Sequence, residues 1–155
     1  MNNCLVCYFS ATGTTKEVAK KVSEILDCDI FEIEPVEKYT EEDLNWNDKN
    51  SRTTLEMADN FCRPQIKERV KDLEKYNKII LLFPVWWYKN PSIINTFLDE
   101  NNLEGKEIYV IVTSGGSSAS SSLENLKNNY SNLNFVDGIK TNYVTDPKEI
   151  LDFVK

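Results

Sequence analysis

Four hydroxyls and a glycine crowd into Ser10-Ala11-Thr12-Gly13-Thr14-Thr15, directly behind an apolar run and directly ahead of a helix-period one. Backbone N–H groups at a helix start have no partner inside the helix, and the positive end of its dipole adds to their pull on an anion. Hydroxyls around such amides make a neutral, donor-rich cup that suits a terminal monophosphate without magnesium. No cation precedes Lys16, so this is neither the Gly-Lys-Ser/Thr of a Walker loop nor a G-x-G-x-x-G dinucleotide loop. Plain helix capping is the competing explanation, but one cap takes one hydroxyl.

Two further segments carry chemistry by type. Pro84-Val85-Trp86-Trp87-Tyr88 places two indoles and a phenol at the end of an apolar run that already holds Phe83. Core packing explains one such ring, whereas planar heteroaromatic ligands stack on rings left at a strand end. Thr113-Ser114-Gly115-Gly116-Ser117-Ser118 has little side-chain bulk, so its peptide groups can approach the polar edge of a ligand, although any flexible turn looks similar. The three segments together describe a ligand with a phosphate, a flat ring system and an edge of donors and acceptors.

Composition removes other chemistries. The 155 residues contain no histidine, so imidazole triads, His-ligated metals and histidine acid–base schemes are excluded by inventory. No catalytic side chain and no metal site is expected. The net charge of −7 argues against nucleic acid or an anionic membrane and for a partner with a basic surface. The start, Met1-Asn2-Asn3-Cys4, has no cationic leader, and no run approaches the roughly 18 apolar residues of a membrane span, which sets the expectation of a cytoplasmic chain. Four cysteines are too few for a disulfide scaffold and fit a reducing compartment. Cys4 and Cys7 match C-x-x-C, but a spacing of three on a pleated strand turns the two thiols to opposite faces.

The elements that must position these segments follow from periodicity. Cys4 to Phe9, Lys78 to Pro84 and Lys106 to Thr113 are continuous apolar runs, the pattern of strands buried on both faces. Asp29 to Glu34 and Phe135 to Thr141 read as two more strands, the latter despite Gly138. Helical spacing starts at Thr14 and covers Val18, Val22, Ile25 and Leu26. It returns at Ile66 to Tyr76 (Ile66, Val70, Leu73), after Pro91, at Ser121 to Tyr130 and at Pro147 to Lys155. Strands alternating with helices predict a mostly parallel α/β sheet in one domain spanning 1–155. In doubly wound sheets ligands bind beyond the carboxyl ends of the strands where strand order reverses, and all three chemical segments leave strands at that end. Val36 to Pro64 is a polar stretch far longer than an ordinary connection, and such loops are functional or disordered. Its acidic run Glu41-Glu42-Asp43 with Asp48 suits steering of a basic partner or a solvated face. Its Trp46 suits either a cover for the ring site or packing.

Two other uses of such a sheet fail on inspection, while an interaction-only protein stays open. A phosphoacceptor needs clustered carboxylates at the strand ends, where this chain has Phe9-Ser10 and Pro84-Val85; a tyrosine phosphatase needs Cys and Arg in the first loop, and Cys7 leads only to Lys16.

Tyr8-Phe9-Ser10-Ala11-Thr12-Gly13-Thr14-Thr15 resembles the phosphate loop of flavodoxins, and the resemblance extends over essentially the whole chain. It is most similar to members with a Trp-Trp-Tyr ring loop and a Leu-Asn-Trp-Asn-Asp-Lys-Asn-Ser-Arg insertion, here Leu44 to Arg52. The resemblance implies a flavodoxin-like, doubly wound five-stranded parallel sheet of order 2-1-3-4-5, with FMN as cofactor. Ser10, Ala11, Thr12, Gly13, Thr14 and Thr15 would then hold the phosphate, Pro84, Val85, Trp86, Trp87 and Tyr88 would flank the ring, and Thr113, Ser114, Gly115 and Gly116 would meet its pyrimidine edge. A low-potential electron carrier is the implied function, and an FMN-dependent NAD(P)H:quinone-type oxidoreductase the alternative; a flavin absorption spectrum would separate both from an interaction-only protein. Two departures stand out: Tyr88-Lys89-Asn90 lacks the glycine whose peptide turns toward flavin N5, and Thr113 to Ser118 lacks the family's second stacking aromatic, which would leave one ring face open. Arg52 and Arg63 are the basic groups an anionic substrate would meet, with structural ion pairs the competing use.

Overall fold

A computed structural model describes residues 3–154. The chain runs β1 (Cys4–Tyr8), α1 (Thr14–Leu26), β2 (Asp29–Glu32), α2 (Arg52–Ala58), β3 (Lys78–Pro84), α3 (Ser92–Glu100), β4 (Glu107–Thr113), α4 (Ser120–Asn129), β5 (Asn134–Lys140) and α5 (Pro147–Phe153). All strand pairs are parallel, and the sheet order is β2-β1-β3-β4-β5. The order reverses between β1 and β3, so the loops leaving these two strands diverge and open a crevice between them.

The runs read as doubly buried are so. Leu5, Cys7, Ile79, Leu81, Phe83, Val110 and Val112 face one core layer with α3 and α4, while Val6, Tyr8, Ile80, Leu82 and Ile111 face the other with α1 and α5. Cys4 and Cys7 fall in opposite layers, as a pleated strand requires. Cys4 is instead joined to Cys28 as a disulfide, with α-carbons 5.5 Å apart, a pairing the sequence reading does not anticipate. β2 is the mostly exposed edge, and β5 tolerates Gly138 because α4 lies on it: a Cβ there would meet Leu123 Cδ2 at 3.3 Å.

The helix expected over Ile66 to Tyr76 is not formed; a single 3₁₀ turn at Leu73–Lys75 is all that coils. Ile66 pairs instead with Pro35 in an antiparallel bridge, closed by Val36 N–H to the Gln65 carbonyl (2.9 Å) and Lys67 N–H to the Glu34 carbonyl (2.8 Å). Ile66, Val70 and Leu73 still dock on the core, so their spacing reports burial without a helix. The helix of this crossover is α2, inside the stretch read as a long polar loop. Sequence alone suits Pro91 to the first helical position of α3; in the structure it stands one residue earlier, at the N-cap, without a side-chain cap bond. Met1, Asn2 and Lys155, the last residue of the expected closing helix, lie outside the described residues. Among those described, no helix is long and apolar enough to cross a membrane.

Candidate functional site

The first loop leaves β1 as a tight turn. Ser10 Oγ accepts from Gly13 N–H at 3.0 Å, and Gly13 sits at φ 103° as the N-cap of α1 without a side chain to cap it. Ser10 therefore shapes the turn, and the first amides of α1 keep no side-chain acceptor. α2 and α5 differ: Ser51 and Asp146 cap them. Among the described residues, the N–H groups of Thr12, Thr14, Thr15 and Lys16 and the hydroxyls of Thr12 and Thr14 have no protein partner. Thr15 is buried and shares a 2.7 Å hydroxyl–hydroxyl hydrogen bond with Thr113, which ties the first loop to the third.

The second loop is a two-residue hairpin. Trp86 and Lys89 exchange backbone hydrogen bonds of 3.0 and 3.1 Å, with Trp87 and Tyr88 between them at φ 51° and 64°. That turn thrusts Trp87 and Tyr88 outward. Trp86 turns inward and joins an edge-to-face cluster with Phe9 (5.5 Å) and Tyr39 (5.4 Å). Ser121 Oγ donates to the Tyr88 carbonyl at 2.6 Å and pins the turn from α4.

A cavity of about 560 Å³ lies between these loops, lined by Ala11, Thr12 and Thr15, by Pro84 to Tyr88 and by Thr113. No charged residue lines it. Ser10 and Gly13 face a neighbouring recess with Lys16 instead, and Thr14 is exposed and lines neither. Of the third loop only Thr113 reaches the cavity. Ser114 is held by Asn142, whose side chain accepts its N–H and donates to its carbonyl, both at 2.8 Å. Ser114 Oγ in turn accepts from Gly116 and Ser117 N–H. Asn142 had no signal in the sequence beyond its type.

The insertion supplies the rest of the wall: Leu44, Trp46 and Thr53. It is ordered by a dense set of bonds. Thr40 and Asp43 cap each other, Thr53 donates both N–H (3.1 Å) and Oγ1 (2.7 Å) to the Asp43 carbonyl, and Thr54 Oγ1 donates to the Asp48 carbonyl. Arg52 lies 3.8 Å over the Tyr39 ring, donates to Glu56 at 2.9 Å and reaches the Glu37 carbonyl at 2.8 Å. Tyr39 also donates to Glu56 at 2.6 Å; burial, then that carboxylate, pushes its phenol well above the usual range. Arg63 pairs with Asp99 at 2.6 Å. Arg52 and Arg63 are thus both engaged in structural ion pairs, the use weighed above against contact with an anionic substrate.

A family model described as flavodoxin matches residues 3–155. The chain is 41% identical to a protein from Bacteroides eggerthii assigned as a flavoprotein, over 97% of this chain and 94% of that one, with a TM-score of 0.94. A second protein so assigned, from Bacteroides uniformis, is 38% identical over 99% and 97% of the two chains, with a TM-score of 0.92. A flavoprotein from Lactobacillus acidophilus, solved in complex with FMN, shares the fold at 23% identity over the full length of both chains, with a TM-score of 0.77. No curated protein sequence matches.

Proposed function

The chain belongs to the flavodoxin family, and from that premise we propose that it binds FMN in the crevice between the three loops and serves as a low-potential electron carrier. The observation that carries the reading is the uncapped start of α1. Among the described residues, four amides and two threonine hydroxyls there stand without protein partners, and Thr12 and Thr15 of the same turn line an uncharged cavity that Trp46, Trp86, Trp87 and Tyr88 also line. Unsatisfied donors at a helix N-terminus fit a phosphate, and the Pro84 to Tyr88 wall fits a flat ring. The Lactobacillus acidophilus flavoprotein was solved in complex with FMN, and the residues here fit it.

Bound there, FMN supplies reversible acceptance and donation of electrons; the protein supplies position and field. The amides of Thr12, Thr14, Thr15 and Lys16 hold the phosphate, and Trp87 and Tyr88 offer ring faces. The Thr15–Thr113 bond keeps the phosphate loop and third loop at fixed separation. No cation lines the cavity and the chain carries −7, so the surroundings resist added negative charge, which favours a strong donor. Exposed Glu41, Glu42 and Asp48, in the insertion that gives Leu44 and Trp46 to the cavity wall, suit a redox partner with a basic surface.

The test is direct. Purified apo-protein titrated with FMN should turn yellow with loss of free-flavin fluorescence, and a protein that ignores added FMN refutes the assignment. Mixed rapidly with NADPH, the loaded protein should reduce slowly or not at all; fast reduction would make it an oxidoreductase rather than a carrier.

A further inference from the structure

We propose that Trp46 covers the flavin face that the ring loop leaves bare, so that the insertion does here what a third-loop aromatic does elsewhere. The inference rests on the FMN reading above and adds a residue to it. Trp46 lines the same cavity as Trp86, Trp87 and Tyr88, while the third loop brings only Thr113. Trp46 is 70% exposed and its indole N–H meets no acceptor among the described residues, so neither core packing nor a polar anchor explains its place.

The backbone around it is nonetheless fixed. Asn45 N–H donates to the Glu42 carbonyl and Asp48 N–H to the Asn45 carbonyl, while the Asn45 side chain accepts from Asn47 N–H. Behind it Asp43 is clamped by Thr53 and by the Arg52 guanidinium, 3.9 Å from its carboxylate. Arg52 is therefore a positioning residue for the loop. A tryptophan held over an apolar cavity yet left in water gains stacking energy only when a flat molecule slides beneath it, and desolvation of the indole adds to that gain. With this face covered, a second flat substrate has no place to stack, which separates electron transfer through the exposed edge from hydride transfer face to face.

The experiment titrates apo-protein with FMN and with riboflavin, for wild type, Trp46→Ala and Trp46→Phe, and follows iodide quenching of the bound flavin. Because Trp46 acts on the ring and not on the phosphate, Trp46→Ala should weaken both ligands by the same factor, about tenfold, a stacking contribution near the upper end of its range. Bound flavin should brighten and open to iodide, and Trp46→Phe should restore most of both. Wild-type affinity and wild-type iodide access in a Trp46→Ala protein with unchanged circular dichroism would overturn the inference alone. A wild-type protein that binds neither flavin would overturn the FMN reading and this one with it.

Discussion

Trp87 and Tyr88 occupy the left-handed region that bulky L residues avoid, at a cost of about 1–2 kcal/mol each. Two-residue hairpins of this geometry favour Asn-Gly, and a chain that places two large aromatics there spends stability on presenting rings. Tyr88 is 73% exposed, so its side chain contributes little packing. Tyr88→Gly should therefore raise the unfolding free energy of the apo-protein by about 1 kcal/mol in urea, after allowing for the extra freedom glycine gives the unfolded chain; a loss of stability would show that the turn is not strained. The Thr15–Thr113 pair tests a different cost. Thr113→Val strands a buried hydroxyl and should destabilise by about 1–3 kcal/mol, whereas Thr15→Val with Thr113→Val removes both partners and should cost less than the sum of the two single changes. Urea melts of the four proteins give the coupling directly.

At the scale of elements, legibility followed what each element buries. β1, β3 and β4 are apolar throughout because both faces are covered, and that pattern has one meaning. α2 was hidden because its buried residues are Thr53, Glu56 and Met57, which make no apolar stripe; Ser51 as its cap was the only signal. The helix expected at Ile66 to Tyr76 fails because a segment without helix can dock residues spaced by four and three, here Ile66, Val70 and Leu73, on a core. The cavity's Pro84 to Tyr88 and Thr113 were readable from position at strand ends, but Leu44 and Thr53 were not, since nothing local says that the insertion folds back. Arg52 helps to hold it there, through Glu56, the Glu37 carbonyl and the Tyr39 ring. Its Glu56 partner has only 10% of its side chain exposed, so Arg52→Met leaves a nearly buried carboxylate with the Tyr39 phenol alone. The expected result is a loss of about 3 kcal/mol in urea unfolding and new proteolytic cleavage within residues 36–64.

Tyr76 anchors the 3₁₀ turn to β2 through a 2.6 Å bond to Asp29. Burial, and then that carboxylate, push its phenol up to about 12. A raised folded value stabilises the protein while the phenol is protonated. The contribution is thus complete below pH 10, near the ordinary tyrosine value, and is lost as pH rises from 10 through about 12. Tyr8 and Tyr130 are pushed up to about 12 as well, so the informative quantity is a difference. Between pH 8 and 11.5 the stability gap between wild type and Tyr76→Phe should close; a constant gap would mean that Tyr76 titrates alike in the folded and unfolded chains.

The whole molecule gathers its candidate-site features at one end of the sheet. The carboxyl ends of β1, β3 and β4, the outward Trp87 and Tyr88 and the insertion converge there, and the insertion adds Glu41, Glu42 and Asp48 to a chain of net charge −7. Such a charge distribution acts on encounter rather than on fold. The field of exposed carboxylates reaches about 30 Å at 0.01 M salt and about 8 Å at 0.15 M, so electron delivery to a basic acceptor should slow several-fold across that range while delivery to a neutral one should not. Glu41 and Glu42 have exposed side chains free of the bonds that hold Asp43, which makes Glu41→Gln with Glu42→Gln a clean probe. Measured by stopped flow with cytochrome c as the basic acceptor, that pair should flatten the salt dependence and lower the low-salt rate without altering FMN affinity. An unchanged slope would place the docking face elsewhere on the surface and leave the acidic run as a solvated loop.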